Sequence, residues 1–68
     1  MISYRPYRVL VADRNIDTKS LIEDLGISPN TMAKLNAKKD ENEAVSLKTI
    51  EKLCKHFNVS VDKIVEIK

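Results

Sequence analysis

Leu47, Ile50, Leu53, Cys54 and Phe57 recur at spacings of three and four, which places them on one face of a helix and leaves Lys48, Glu51, Lys52 and Lys55 on the other. Tyr7, Leu10, Val11 and Arg14 share one side of an earlier helix in the same way. Between these stretches an apolar residue repeatedly precedes a capping residue and is answered by another apolar residue at the fourth helical position. The pairs are Ile16-Asp17 with Leu21, Ile27-Ser28 with Met32, Val45-Ser46 with Ile50, and Val59-Ser60 with Ile64. This is the hydrophobic staple, and the Asp and Ser oxygens accept bonds from first-turn amides that otherwise have no partner. A looser version, Ile2-Ser3 with Tyr7, opens the first helix. The pattern predicts helices near 4–14, 18–25, 29–37, 47–57 and 61–65.

The helix ends agree. Gly26, the only glycine, follows Leu25 where a left-handed terminal residue is needed. Pro29 falls one residue after Ser28, and Pro6 falls in the first turn of the first helix, where a missing amide is tolerated. The polar, charged stretch from Asn36 to Ala44 reads as a solvated loop. The segment Ile64-Val65-Glu66-Ile67 is β-rich, and either closes a short strand beside Ile2-Ser3-Tyr4 or forms a dimer contact.

Two short helices joined by Leu25-Gly26-Ile27-Ser28 form a helix-turn-helix unit. With Leu21, Leu25, Ile27, Met32 and Leu35 turned inward, Pro29, Asn30, Ala33, Lys34 and Ala37 make one exposed stripe. Its chemistry suits a DNA major groove. Asn30 can bond adenine N6 and N7, Lys34 can donate to guanine O6 and N7, and Ala33 or the Thr31 methyl can touch a thymine methyl. Thr18, Lys19, Ser28, Asn36, Lys38 and Lys39 surround the stripe as candidate phosphate contacts.

Composition and charge refine this picture. The chain has 68 residues, 43% hydrophobic and 32% charged, which suits one folded domain over 1–68 with no room for a deep substrate cleft. The net charge is only +2, but residues 1–39 carry seven Lys/Arg against four acids, while residues 40–68 carry five Lys against six. The basic excess therefore lies with the candidate reading helix. The longest early apolar run, Val9 to Ala12, is too short for a secretory signal or a membrane span. The single cysteine implies no internal disulfide, and a cytoplasmic protein is expected.

The whole chain resembles the Cro/lambda-repressor-type (Xre-like) helix-turn-helix regulators. The resemblance rests on the helix order, on IDTKSLIEDLGISPNTMAKL with its turn glycine, and on the VSLKTIEKLCK-like fourth helix. It implies an all-α, five-helix, lambda-repressor-like domain that binds specific double-stranded DNA, usually as a dimer on near-palindromic sites. It also implies that Pro29, Asn30 and Lys34 occupy base-reading positions and that Thr18 anchors a phosphate. The chain departs from the family at Ile22, where many members carry a small Ala, and at Pro29, where longer polar side chains often read bases.

Other chemistries fit poorly. Cys54 and His56 point roughly 200° apart around a helix axis and have no further Cys or His partner for a zinc site. The acids are accounted for by caps, solvated faces and the loop, and no catalytic constellation or cofactor motif is present. Three aromatic residues are too few for a single-strand stacking platform. The expectation is thus a non-enzymatic, repressor-like regulator with no cofactor and no metal, working as a homodimer on DNA with Val61 to Ile67 as the candidate contact. The alternative is a protein-interaction or antitoxin-like module on the same fold, favoured by the near-neutral charge and the acidic loop Asp40, Glu41, Glu43.

Overall fold

In the computed structural model, which describes residues 1–39 and 41–68, four α-helices enclose one core and a two-stranded ribbon joins the chain ends. The order is β1 (Ile2–Ser3), α1 (Arg5–Asp13), α2 (Thr18–Leu25), α3 (Pro29–Asn36), α4 (Leu47–Phe57), a single 3-10 turn (Val61–Lys63) and β2 (Glu66–Ile67). The core consists of Tyr4, Tyr7, Leu21, Ile27, Met32, Leu35, Ile50, Leu53, Phe57 and Ile64, drawn from every helix.

Three of the expected caps form as the sequence suggests. Asp17 accepts the Lys19 amide at 3.0 Å, Ser28 the Thr31 amide at 3.1 Å, and Ser46 the Thr49 amide at 3.2 Å. At α1 the N-cap position belongs to Tyr4, and the Ser3 hydroxyl accepts the Arg5 amide at 3.3 Å. The Tyr7 amide, another first-turn donor, bonds the Ile64 carbonyl at 3.2 Å, so the start of α1 is satisfied by the far end of the chain. Gly26 ends α2 at φ 66, while Asn15 (φ 54) and Asn58 (φ 56) take the same left-handed conformation after α1 and α4. Asparagine tolerates this region better than other side chains because its short amide bonds locally.

Three expectations need correction. The fifth helix expected at 61–65 is one 3-10 turn, because the following residues are committed elsewhere. Ile64 is fully buried, and Glu66–Ile67 pair antiparallel with Ile2–Ser3. The strand alternative for the C-terminal segment is therefore the one realised, and of the apolar candidates for a dimer contact only Val61 and Ile67 remain well exposed. Leu47 is 83% exposed, since the first position of α4 projects past the edge of the core.

The segment after α3 is the third correction. Within it Asn42 is buried and pinned rather than solvated: its backbone N–H donates to the Ile2 carbonyl at 2.7 Å, and its amide nitrogen donates to the Ala37 carbonyl at 2.9 Å. Asp40 lies outside the described residues, so the acidic loop is seen here through Glu41 and Glu43.

Candidate nucleic-acid interface

The turn between α2 and α3 is Gly26-Ile27-Ser28, and each residue has a physical task. Gly26 reverses the chain; a Cβ there would meet nothing within 4 Å, so the requirement is its backbone angle and not space. Ile27 is buried against the core, and Ser28 caps α3. The inner face of α3 is fixed by Met32 and Leu35, both buried. Tyr7 reaches across from α1 and donates its hydroxyl to the Met32 sulfur at 3.3 Å. Burial pushes the Tyr7 phenol up to about 12, so the hydroxyl stays a donor throughout the neutral range.

The opposite face of α3 is open. Pro29, Asn30 and Ala33 are exposed, and Lys34 and Ala37 are half-buried. Asn30, Ala33, Lys34 and Ala37 border one shallow hollow of about 390 Å³, with Lys39 and Glu43 at its rim. Thr31 stands apart from this group, because its hydroxyl accepts a bond from Ser28 at 2.9 Å and its backbone is tied into the cap. Ile22, the departure on α2, is half-buried and packs against the core.

The candidate phosphate residues fall into two groups. Thr18 and Lys19 open α2, and Ser28 opens α3. Asn36 ends α3 and Lys38 lies just beyond it, in a hollow shared with Arg8 and Asn15. Lys38 and Lys39 share a further hollow with Arg5 and Arg8, so four cations meet there, and among the described residues no acid lines it. Sequence reasoning counted Arg5 and Arg8 only in the charge balance, and the structure places them beside the lysines.

Arg8 also shapes the site. Its Nη1 donates to the Ala37 carbonyl at 2.7 Å and to Asn42 Oδ1 at 3.3 Å. A positive charge at the carboxyl end of α3 is favoured by the helix dipole. Asn42 Oδ1 also accepts the buried Tyr4 amide at 2.9 Å, and the Tyr4 hydroxyl donates to the Glu43 carbonyl and accepts the Val45 amide, both at 2.9 Å. Tyr4, Arg8 and Asn42 were missed as a unit. The available signal was Tyr4 alone, since a buried tyrosine needs a partner for its hydroxyl.

Cys54 is half-buried, and its thiol is pushed up by burial first and by the nearby Asp62 carboxylate second. His56 is exposed with its ring edge-on to Phe57. Among the described residues no group of three or more His, Cys, Asp or Glu is placed to hold a metal ion, and no helix is long and apolar enough to cross a membrane.

A capped helix pair with a glycine turn, an apolar inner face and a polar outer stripe defines a helix-turn-helix DNA-binding domain. The chain belongs to the Cro/C1-type HTH DNA-binding domain family, whose model matches residues 8–68. Its structure is similar to the crystal structure of the transcriptional regulator VanUg, with a TM-score of 0.81 and 34% sequence identity over 96% of this chain and 81% of that one. No curated protein sequence matches it. Membership in this family makes the chain a DNA-binding module and not an enzyme.

Proposed function

We propose that this chain is a sequence-specific, double-stranded DNA-binding transcriptional regulator of repressor type, acting in the cytoplasm as one domain over residues 1–68. In this reading α3 enters the major groove. Asn30 bonds adenine N6 and N7, Lys34 donates to guanine, and Pro29, Thr31 and Ala33 make secondary base contacts. Thr18, Lys19, Ser28, Asn36, Lys38 and Lys39 hold the flanking phosphates and so set the depth and angle of the helix.

The observation that carries the proposal is the α3 stripe. Asn30, Ala33 and the half-buried Lys34 border one open hollow on a helix whose other side is locked by Met32 and Leu35. Small Ala33 and Ala37 allow close approach to base edges, and similarity to a transcriptional regulator agrees with this role. One such domain covers few base pairs, so specificity calls for a homodimer on half-sites about one helical turn apart.

The test is an amide NMR titration with a generic duplex of about 20 base pairs, long enough for two half-sites. Shifts concentrated at Lys19, Ser28 to Lys34 and Lys38, and fading as salt rises, are the expected result. Spectra unchanged at low salt would refute the DNA reading and favour a protein partner for the α3 face.

A further inference from the structure

Glu43 is badly placed for a residue that only keeps a loop soluble. It borders the hollow formed by Asn30, Ala33, Lys34 and Ala37, the stripe assigned above to base reading. Glu41, two residues earlier, borders the hollow beside Met1 and Ile2, whereas Glu43 reaches the α3 side as well.

Nor can the loop readily carry this acid away. The Glu43 carbonyl accepts the Tyr4 hydroxyl at 2.9 Å, the Val45 amide donates to that hydroxyl at 2.9 Å, and Tyr4 is 2% exposed. On the other side of Glu43, Asn42 is buried and bonded to Tyr4, Arg8 and Ala37. The backbone at 42–45 is thus fixed to the core, while the Glu43 side chain is exposed and has no hydrogen-bond or ion-pair partner among the described residues. It is not held by the lysines at the rim either. The ion pairs among the described residues are Lys55–Glu51 and Lys68–Glu66, and neither involves Lys34 or Lys39.

A carboxylate carried on a fixed backbone at the edge of a DNA-reading surface is repelled by phosphate and weakens binding to every sequence unless it finds a donor in the groove. The major-groove group that Asp and Glu recognise is the N4 amino group of cytosine. We propose that Glu43 is a specificity-determining residue that accepts a hydrogen bond from cytosine N4 beside the bases read by Asn30 and Lys34. The inference rests on the DNA reading of α3 and adds to it a residue outside the helix-turn-helix. It assigns the loop acid two effects, a general penalty on non-cognate duplex and a gain at sites that present cytosine.

The experiment is selection from a random duplex pool with the full chain and with E43Q and E43A, followed by binding titrations on the enriched and on scrambled duplexes. The wild-type chain is expected to favour cytosine at one position by about tenfold. E43Q should move that position toward adenine, which glutamine bonds through N6 and N7. E43A should lose the preference there and bind scrambled duplex more tightly. If all three proteins enrich the same sequence with the same weights, Glu43 reads no base and the inference falls, while the DNA reading stands. A uniform tightening by E43A with an unchanged consensus leads to the same conclusion. If the wild-type chain enriches no sequence, the DNA reading falls and takes this inference with it. Matching thermal melts of the three proteins confirm that the comparison is between folded domains.

Discussion

Replacing Asn42 with alanine removes three side-chain hydrogen bonds from a residue that local pattern places in a surface loop. The Tyr4 N–H loses its acceptor in a buried position, Ala37 loses one of its donors, and Arg8 loses its weaker contact at 3.3 Å. The backbone bond from Asn42 to Ile2 survives, as does the Arg8 bond to Ala37 at 2.7 Å. Leaving a buried amide unpaired costs about 1–3 kcal/mol, and the lost bond to Ala37 adds about 0.5–1.5 kcal/mol. The expected loss is about 2–4 kcal/mol, from a total of roughly 3–10 kcal/mol for a domain of this size. At about 4–8 °C per kcal/mol the melting temperature should fall by roughly 8–32 °C. Urea titration followed by circular dichroism gives the free energy directly. Asn42→Asp keeps an acceptor for Tyr4 and Arg8 but sets a carboxylate oxygen against the Ala37 carbonyl where the donor stood, so it should not recover wild-type stability at neutral pH. A loss below about 0.5 kcal/mol for Asn42→Ala, the range of ordinary surface changes, would refute the reasoning.

Three further outcomes are expected. Gly26→Ala should cost about 1–2 kcal/mol in urea titration from backbone strain alone, since nothing near Gly26 obstructs a side chain, and Gly26→Asn should cost less, because asparagine tolerates the left-handed region. Stability should fall as pH rises from about 10 toward about 12, since the folded state keeps the Tyr7 phenol neutral while the unfolded state ionises first; Tyr7→Phe should flatten this part of the alkaline unfolding curve. On an enriched duplex Lys34→Ala should cost about 1–3 kcal/mol and relax one base position, whereas Lys38→Ala should weaken all duplexes alike and reduce the salt slope by about 0.9. Equal loss on every duplex for Lys34→Ala would contradict its base-reading role.

What could be seen in the sequence was what neighbours in the chain decide. Asp17, Ser28 and Ser46 cap helices through residues two or three positions away, so their signature is local and visible. Gly26 and the inward pair Met32 and Leu35 follow from period and turn chemistry in the same way. Asn15 and Asn58 were missed although they are equally local: Asn58 directly follows α4, Asn15 lies one residue beyond the Arg14 C-cap of α1, and both take the left-handed conformation that only Gly26 was expected to supply. The pins around the loop after α3 are different in kind. Tyr4 and Asn42 are 38 residues apart, and Arg8 reaches Ala37 across 29, so no periodicity could announce them. The same is true of the chain ends. A fifth helix was consistent with its own residues, but the Ile64 bond to Tyr7 and the pairing of Ile67 with Ile2 are long-range and prevail over that local tendency.

One of these long-range bonds, from Arg8, ends on an atom that two nearer donors share. The Ala37 carbonyl, just past the end of α3, accepts Arg8 Nη1 at 2.7 Å, Asn42 Nδ2 at 2.9 Å and the Lys39 amide at 3.0 Å. A helix terminus leaves carbonyls unsatisfied, and here the donors come from α1 and from the following loop. The helix that bears Asn30 and Lys34 and the loop that bears Lys38, Lys39 and Glu43 are therefore fixed to the same point. They cannot shift separately without giving up these bonds. Their relative placement is settled when the chain folds, which reduces the ordering cost that binding would otherwise incur. Weakening the anchor should then loosen every contact on this face together, through groups that touch no ligand themselves. Loss of a stripe residue such as Lys34 should instead be felt at a single position.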